Sequence, residues 1–160
     1  MVKRVKHPAR DKLVGAMKNL RTAKAQVGYF QEQGRHSSGF SYPALMYLQE
    51  VIGVPSSSGK VHRRLFEITM MMNNRRILEQ TKRNLKKQLN GLESNPTKTL
   101  EVFAKNTQAA IKNGFGNSAI LPPNAPSTVK KKGFNAPLIE TGELRDELSY
   151  KISTKKGIKK

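Results

Sequence analysis

Two adjacent prolines, Pro122 and Pro123, constrain this chain more than any other feature. Each holds φ near roughly −65° and lacks a backbone N–H, so neither a helix interior nor a central strand can run through them. Asn124, Pro126, Ser127, Thr128 and Gly133 continue the turn chemistry, and Lys130, Lys131 and Lys132 read as a solvated basic run. Order is expected to return at Pro137, Leu138 and Ile139. Thr141 can then cap the short turn Gly142-Glu143-Leu144-Arg145, where Glu143 and Asp146 suit the positive end of a helix. Beyond it Leu148, Tyr150 and Ile152 alternate with Ser149, Lys151 and Ser153, the period of a half-buried strand. Residues 115–136 therefore read as an extended arm or loop, pinned over Pro137 to Leu144 and feeding a C-terminal strand. A loop of that length in a small chain is functional or disordered.

The preceding residues supply the elements this strand can pack against. Residues 1–10 form a basic arm carrying Lys3, Arg4, Lys6 and Arg10. Leu13, Met17 and Leu20 recur at four- and three-residue steps, the apolar side of a short helix. Ala25 to Phe30 is a strand candidate with Val27 and Tyr29 turned inward, and Gln31 to Tyr42 reads as a hairpin or loop in which His36 is solvated. A helix can begin at Pro43 and present Leu45, Met46, Leu48, Val51 and Ile52.

Val61 to Leu89 is the longest helical pattern. Leu65, Ile68, Met71 or Met72, Leu78, Leu85 and Leu89 mark its apolar stripe, and Arg75, Arg76, Lys82, Arg83, Lys86 and Lys87 a basic face opposite. Asn90-Gly91 ends it, Asn95 and Pro96 open a second helix bearing Leu100, Phe103, Ala104, Thr107 and Ile111, and Gly114 stops that one. The pair reads as a helical hairpin on a sheet shared by Val27 and Tyr150. Residues 154–160 form a basic tail, disordered on its own. The expected architecture over residues 1–160 is a single α+β domain: a small, mainly antiparallel sheet packed by two or three helices, with a long proline-containing arm and basic termini.

Little in the chain points to catalysis. It has no cysteine, which excludes disulfides and thiolate chemistry, and His7, His36 and His62 lack the short spacing of a metal site. Gly53 to Lys60 imitates a phosphate-binding loop, but its glycine spacer is one residue too long and Val61 stands where a hydroxyl should hold magnesium. Glu140, Glu143, Asp146 and Glu147 cluster without a partnered histidine or lysine. No catalytic, cofactor-binding or metal residue is assigned. The charge is the outlier: 30 Lys and Arg against 11 Asp and Glu give +19, which calls for polyanionic or acidic company. No apolar run approaches membrane-spanning length and the N-terminus lacks a signal-peptide core, so synthesis in the cytoplasm without a membrane partner is expected.

The run PPNAPST, KKG and APLIETGELRDELSYKI resembles the C-terminal signature of tailed-bacteriophage virion-morphogenesis proteins, also called tail-completion, minor tail or neck proteins. The positions that carry it are Pro123, Asn124, Pro126, Ser127, Thr128, Lys132, Gly133, Pro137, Leu138, Ile139, Thr141, Gly142, Leu144, Ser149 and Tyr150. Val27-Gly28-Tyr29-Phe30 resembles a strand of the same family, and Glu50, Gly53-Val54-Pro55 and Arg63-Arg64-Leu65-Phe66 match another of its segments loosely. The resemblance implies a structural protein of the head–tail junction: a neck, tail-completion or tail-terminator ring joining head connector to tail. Its implied partners are copies of itself in a closed ring, six ahead of twelve, other neck, connector and tail proteins, and packaged DNA. Pro122 to Leu144 would then be the inter-subunit arm, lying on a neighbouring subunit or folding back on its own domain. The alternative is a basic nucleic-acid-binding protein of nucleoid or ribosomal type. It accounts for the charge but not for the Pro-Leu-Ile-Glu-Thr-Gly-Glu-Leu segment, and the chain has no Trp to stack on bases.

Overall fold

The computed structural model describes residues 8–57, 59–90, 96–154 and 157–159. In chain order these form α1 (Pro8–Thr22), β1 (Lys24–Gly28), α2 (Tyr42–Tyr47), β2 (Val54–Ser56), β3 (Gly59–Val61), α3 (Leu65–Asn90), α4 (Pro96–Gly114), α5 (Pro126–Lys132), α6 (Glu143–Asp146), β4 (Ser149–Thr154) and β5 (Gly157–Lys159). The fold is α+β. An antiparallel sheet of order β1-β4-β5 packs against helices, and β2 and β3 form a separate hairpin.

Local chemistry explains the short elements. Ser41 opens α2 by accepting the Ala44 N–H, and Pro43 occupies the first turn, where its missing N–H has no helical partner to lose. The helix widens into a π-type turn, Leu48–Ile52, which delivers Glu50 to the start of α3. There Oε1 of Glu50 accepts the N–H groups of Phe66, at 2.7 Å, and Glu67, satisfying donors that the first turn of a helix leaves free. At α6, Thr141 Oγ1 accepts the Glu143 N–H, and Gly142 holds φ at 87°, a conformation that a side chain disfavours.

The C-terminal strand is central. Tyr150 stands opposite Val27 and Ile152 opposite Ala25 across the β1–β4 ladder. α4 packs on both of these strands, and α3 packs on α4. Tyr42, Met46, Leu65, Ile111, Phe115, Leu121, Leu144 and Leu148 make the core. Burying a large apolar side chain contributes about 1.5–3 kcal/mol, so this cluster is the main favourable term the fold possesses.

Several sequence expectations need correction. The seam of α3 is Leu65, Thr69 and Ile77, not the stripe through Met71, Met72 and Leu78, which are exposed. In α4 the buried positions are Thr99, Ala104, Thr107, Ala110, Ile111 and Gly114; Ala104, Thr107 and Ile111 are where the sequence put them, whereas the larger Leu100 and Phe103 are only half-buried and the helices meet through small and β-branched residues. Likewise α1 buries Ala16 and leaves Leu13, Val14 and Met17 outside, and Val51 and Ile52 are exposed at the end of the π-type turn. The Ser/Gly loop at residues 53–60 is the β2–β3 hairpin, with Pro55 opposite Lys60. Pro8, Ala9 and Arg10 belong to the first turn of α1 rather than to an arm, whereas residues 1–7 and the Asn95 cap lie outside the described residues. Within the tail, residues 157–159 pair with β4, because the edge of that strand offers free backbone groups.

The arm also departs from its expected form. Pro126–Lys132 is helical, since Pro126 can open a helix and Gly133, at φ 79°, can close one. The extended part shortens to the residues on either side of it.

Candidate functional site

Two surfaces compete for function, and the first is a groove. The β2–β3 hairpin and the segment around α5 and α6 enclose an open cavity of about 610 Å³. Of the arm residues, Pro122, Pro123, Asn124, Pro126 and Thr128 line one side of it. Leu138, Ile139, Thr141, Gly142 and Leu144 line another. Ser127 lies exposed outside the lining, and Pro137 is fully buried beneath it. The arm is therefore folded on its own domain, and the reason is Arg63. Its Nε donates to the Pro122 carbonyl at 3.3 Å, Nη2 to the Pro123 carbonyl and to Asn124 Oδ1, both at 3.4 Å, and Nη1 to Gln49 Oε1 at 3.2 Å. The Asn124 N–H in turn donates to Asn135 Oδ1 at 3.0 Å.

Lys132 closes the other end of α5. Its ammonium donates to the carbonyls of Ala136, at 3.4 Å, and Ile139, so it is built into the turn rather than solvated with Lys130 and Lys131. Burial lowers the pKa of both cations from its ordinary value, because removing water disfavours the charged form; the charge of Arg63 adds to that effect at Lys132, and the charge of Glu140 opposes it. Neither cation forms an ion pair among the described residues. Leu138, on the groove wall, has φ of 63°. It is the one non-glycine residue with positive φ among those described, a costly conformation for a bulky side chain.

Beside the groove, Glu143 collects donors from the loop between β1 and α2. The Tyr42 hydroxyl donates to its Oε1 at 2.6 Å, and the Ser37 N–H to the same oxygen at 3.1 Å. His36 Nε2 lies 3.7 Å from Oε2, with its ring edge-on to Tyr42, so this histidine is tucked into a contact rather than solvated. The hydrogen bond from Tyr42, then that from Ser37, holds the Glu143 carboxyl below the usual range, and the same bond pushes Tyr42 up to about 12. The Tyr29 hydroxyl donates to the Leu144 carbonyl, and its ring stacks on Tyr42 at 6.1 Å. The cluster fastens the loop to α6. Among the described residues no group of three His, Asp or Glu side chains is placed to hold a metal ion.

The second surface is the outer face of α3, about 39 Å long at 1.5 Å per residue. Arg75, Lys82 and Lys86 follow one another at seven- and four-residue steps, and Arg76, Arg83 and Lys87 do the same one position along. All six are exposed. Lys82 pairs with Glu79 at 3.1 Å and Arg76 donates to Asn73 Oδ1, surface contacts of small energetic weight. Arg75, Arg83, Lys86 and Lys87 have no ion pair among the described residues. Met71 and Met72 extend the same exposed helix toward its N-terminus with an apolar patch. No helix of the described residues is long and apolar enough to cross a membrane.

The arm and basic-face residues were legible as two separate groups, and they remain separate surfaces. Arg63, Gln49, Glu50 and Lys132 were not recognised as organising residues. The available signals were that Arg63 and Glu50 stand within the loosely matching segments and that Lys132 is a signature position. Compared with protein-family models, with curated proteins and with solved structures, the chain finds no match in any of the three.

Proposed function

We propose that this chain is a structural subunit of a tailed-phage virion, acting at the head–tail junction as a neck, tail-completion or tail-terminator component. The observation that carries this reading is that the arm residues between Pro122 and Leu144 that carry the signature, all but Ser127, Gly133 and Pro137, gather around one open groove on a prefolded surface. Residues with no catalytic partners then have a common purpose, presenting a shaped surface to a neighbour. Exposed Tyr47, Val51, Ile52, Met71 and Met72 add apolar area of the kind that subunit contacts cover. In this reading copies of the chain meet head to tail in a closed ring, six ahead of twelve, since a heterologous contact that closes generates a ring. Other neck, connector and tail proteins flank it, and packaged DNA or acidic virion surfaces face the basic side of α3.

A nucleic-acid-binding protein of nucleoid or ribosomal type is the second reading, favoured by the six exposed cations of α3 within a chain of net charge +19. Complementation separates the two. Particles assembled without the chain are supplied with the full-length protein, and tail joining is scored by imaging. The virion reading requires that filled heads gain stable tails only when the protein is present, and that labelled protein sits at the junction. Tails that join equally well without it, with the protein found coating DNA elsewhere, would overturn that reading.

A further inference from the structure

The groove is built around cations that lack an acid. Arg63 is half-buried, yet its four hydrogen-bond acceptors are two prolyl carbonyls and two side-chain amides, all neutral. Lys132 donates to carbonyl oxygens, those of Ala136 and Ile139, with its ammonium 5.4 Å from the Phe134 ring centroid and the Glu140 charge acting on it without a direct ion pair. A guanidinium carries five N–H donors and an ammonium three, so each retains one N–H beyond the bonds named here. Asn124 Nδ2 is enclosed at the same place with no hydrogen-bond partner among the described residues, although buried donors are ordinarily satisfied. The two acids that also line the groove do not remove this excess. Glu143 is taken up by Tyr42 and Ser37, and Glu140 is exposed. Burial lowers the pKa of both cations, and the charge of Arg63 lowers that of Lys132 further, which an incoming anion would offset.

The walls restrict which anion fits. Val54, Pro55, Leu138 and Ile139 give them an apolar character, and the volume of about 610 Å³ falls within the range of ligand sites. Leu138 is held at positive φ where it lines the wall, and strain of that kind gathers at sites that clamp a ligand. Among the described residues no Phe, Tyr or Trp lines the groove, which leaves the half-buried His36 ring and the Arg63 guanidinium as the flat faces it offers a base. We propose that this groove receives an extended acidic peptide segment of a partner protein, with one carboxylate held between Arg63 and Lys132 and its apolar neighbours resting on Val54 and Ile139. The one N–H left on each cation can donate a charge-assisted bond to a carboxylate, and the apolar walls suit alternating side chains in a way that a sugar-phosphate backbone would not exploit. The site does not depend on the virion reading, because it requires only a partner with an accessible acidic strand.

Because any polyanion is drawn to a chain of this charge, the test must separate the groove from α3. The full-length protein is titrated, at physiological salt, into a fluorescein-labelled peptide of alternating valine and glutamate, and separately into a labelled single-stranded oligonucleotide of equal charge. Lys132→Gln removes one cation, and Thr128→Trp fills the groove while leaving both cations in place. Both should weaken the peptide by about tenfold or more, the scale of one charge-assisted hydrogen bond, whereas Lys82→Gln with Lys86→Gln should alter it less than about twofold. The oligonucleotide should show the reverse order. Amide and guanidinium NMR signals of the unmodified protein give an arm free of any folding defect: peptide should shift Arg63, Asn124 and Leu138 ahead of residues 75–87. Peptide affinity insensitive to both groove variants, or peptide shifts confined to α3, would overturn the assignment. So would groove variants that weaken the oligonucleotide as much as the peptide, which would make the groove a phosphate site.

Discussion

Gly114 of α4 lies so close to Leu65 of α3 that a Cβ on the glycine would stand 2.5 Å from Leu65 Cδ1 and 2.9 Å from Thr69 Oγ1. Real Cβ atoms do not tolerate such contacts, and Leu65 is fully buried with little room to yield. Gly114→Ala should therefore destabilise the protein by about 1–3 kcal/mol, the usual cost of overpacking a core. Gly15 in α1 is the control: an added Cβ meets nothing within 4 Å there, and Gly15→Ala should stabilise by about 0.5–1 kcal/mol through helix propensity. Urea midpoints measured on both variants decide this. Equal responses would mean that the helices are not in contact at Gly114.

The seam of α3 gives a second expectation. Ile77 is 1% exposed and Leu78 is 43% exposed. Ile77→Ala should cost about 2–5 kcal/mol, and Leu78→Ala much less, although the two residues are adjacent and similarly apolar. Leu148→Asp belongs with the first group in a stronger form, since it would place a charge at a core position 1% exposed, and it should prevent folding. Circular dichroism and solubility report the outcome; a soluble, folded Leu148→Asp protein would contradict the placement of β4.

Acid titration should show two carboxylates acting in opposite directions. Hydrogen bonds, that from Tyr42 first, lower the pKa of Glu143 in the folded state, so its contribution is present above the ordinary glutamate value of about 4.3 and is lost as pH falls through the lowered folded value. Burial raises the pKa of Glu50, so the folded state holds that proton more tightly, and its contribution declines as pH rises from about 4.3 through the raised value. Glu143→Gln should flatten the loss of stability on the acid side. Glu50→Gln keeps an oxygen for the Phe66 N–H and should remove the decline above it. Unfolding midpoints collected over about pH 3–7 show whether the two slopes have these signs.

Binding of duplex DNA, where it occurs, should be carried by α3 and should weaken steeply with salt. The logarithm of affinity falls against that of salt with a slope of about −0.9 per phosphate neutralised. Replacing Arg83, Lys86 and Lys87 by Gln should reduce the slope by up to about 3 and leave folding intact, since all three side chains are exposed. A slope unchanged by the triple replacement would move the polyanion contact elsewhere.

The chain order of prolines, glycines and alternating residues was enough to determine the punctuation of this protein, because those signals are local. They placed breaks at Asn90, Gly114 and Pro122, put Tyr150 on one sheet with Val27, and left Arg75 to Lys87 as an exposed basic face. Tertiary structure decided what periodicity cannot carry. The buried face of α3 was chosen by which side approaches α4, which puts Thr69 and Ile77 in the seam and leaves the equally or more apolar Met72 and Leu78 outside. The fate of the arm was decided by a half-buried guanidinium whose acceptors at Pro122, Pro123 and Asn124 lie 59, 60 and 61 residues away in the chain. A cation in water needs no such partners; once the fold removes water from Arg63, its N–H groups must be met by whatever oxygens the chain can bring, and here they are carbonyls of the proline pair.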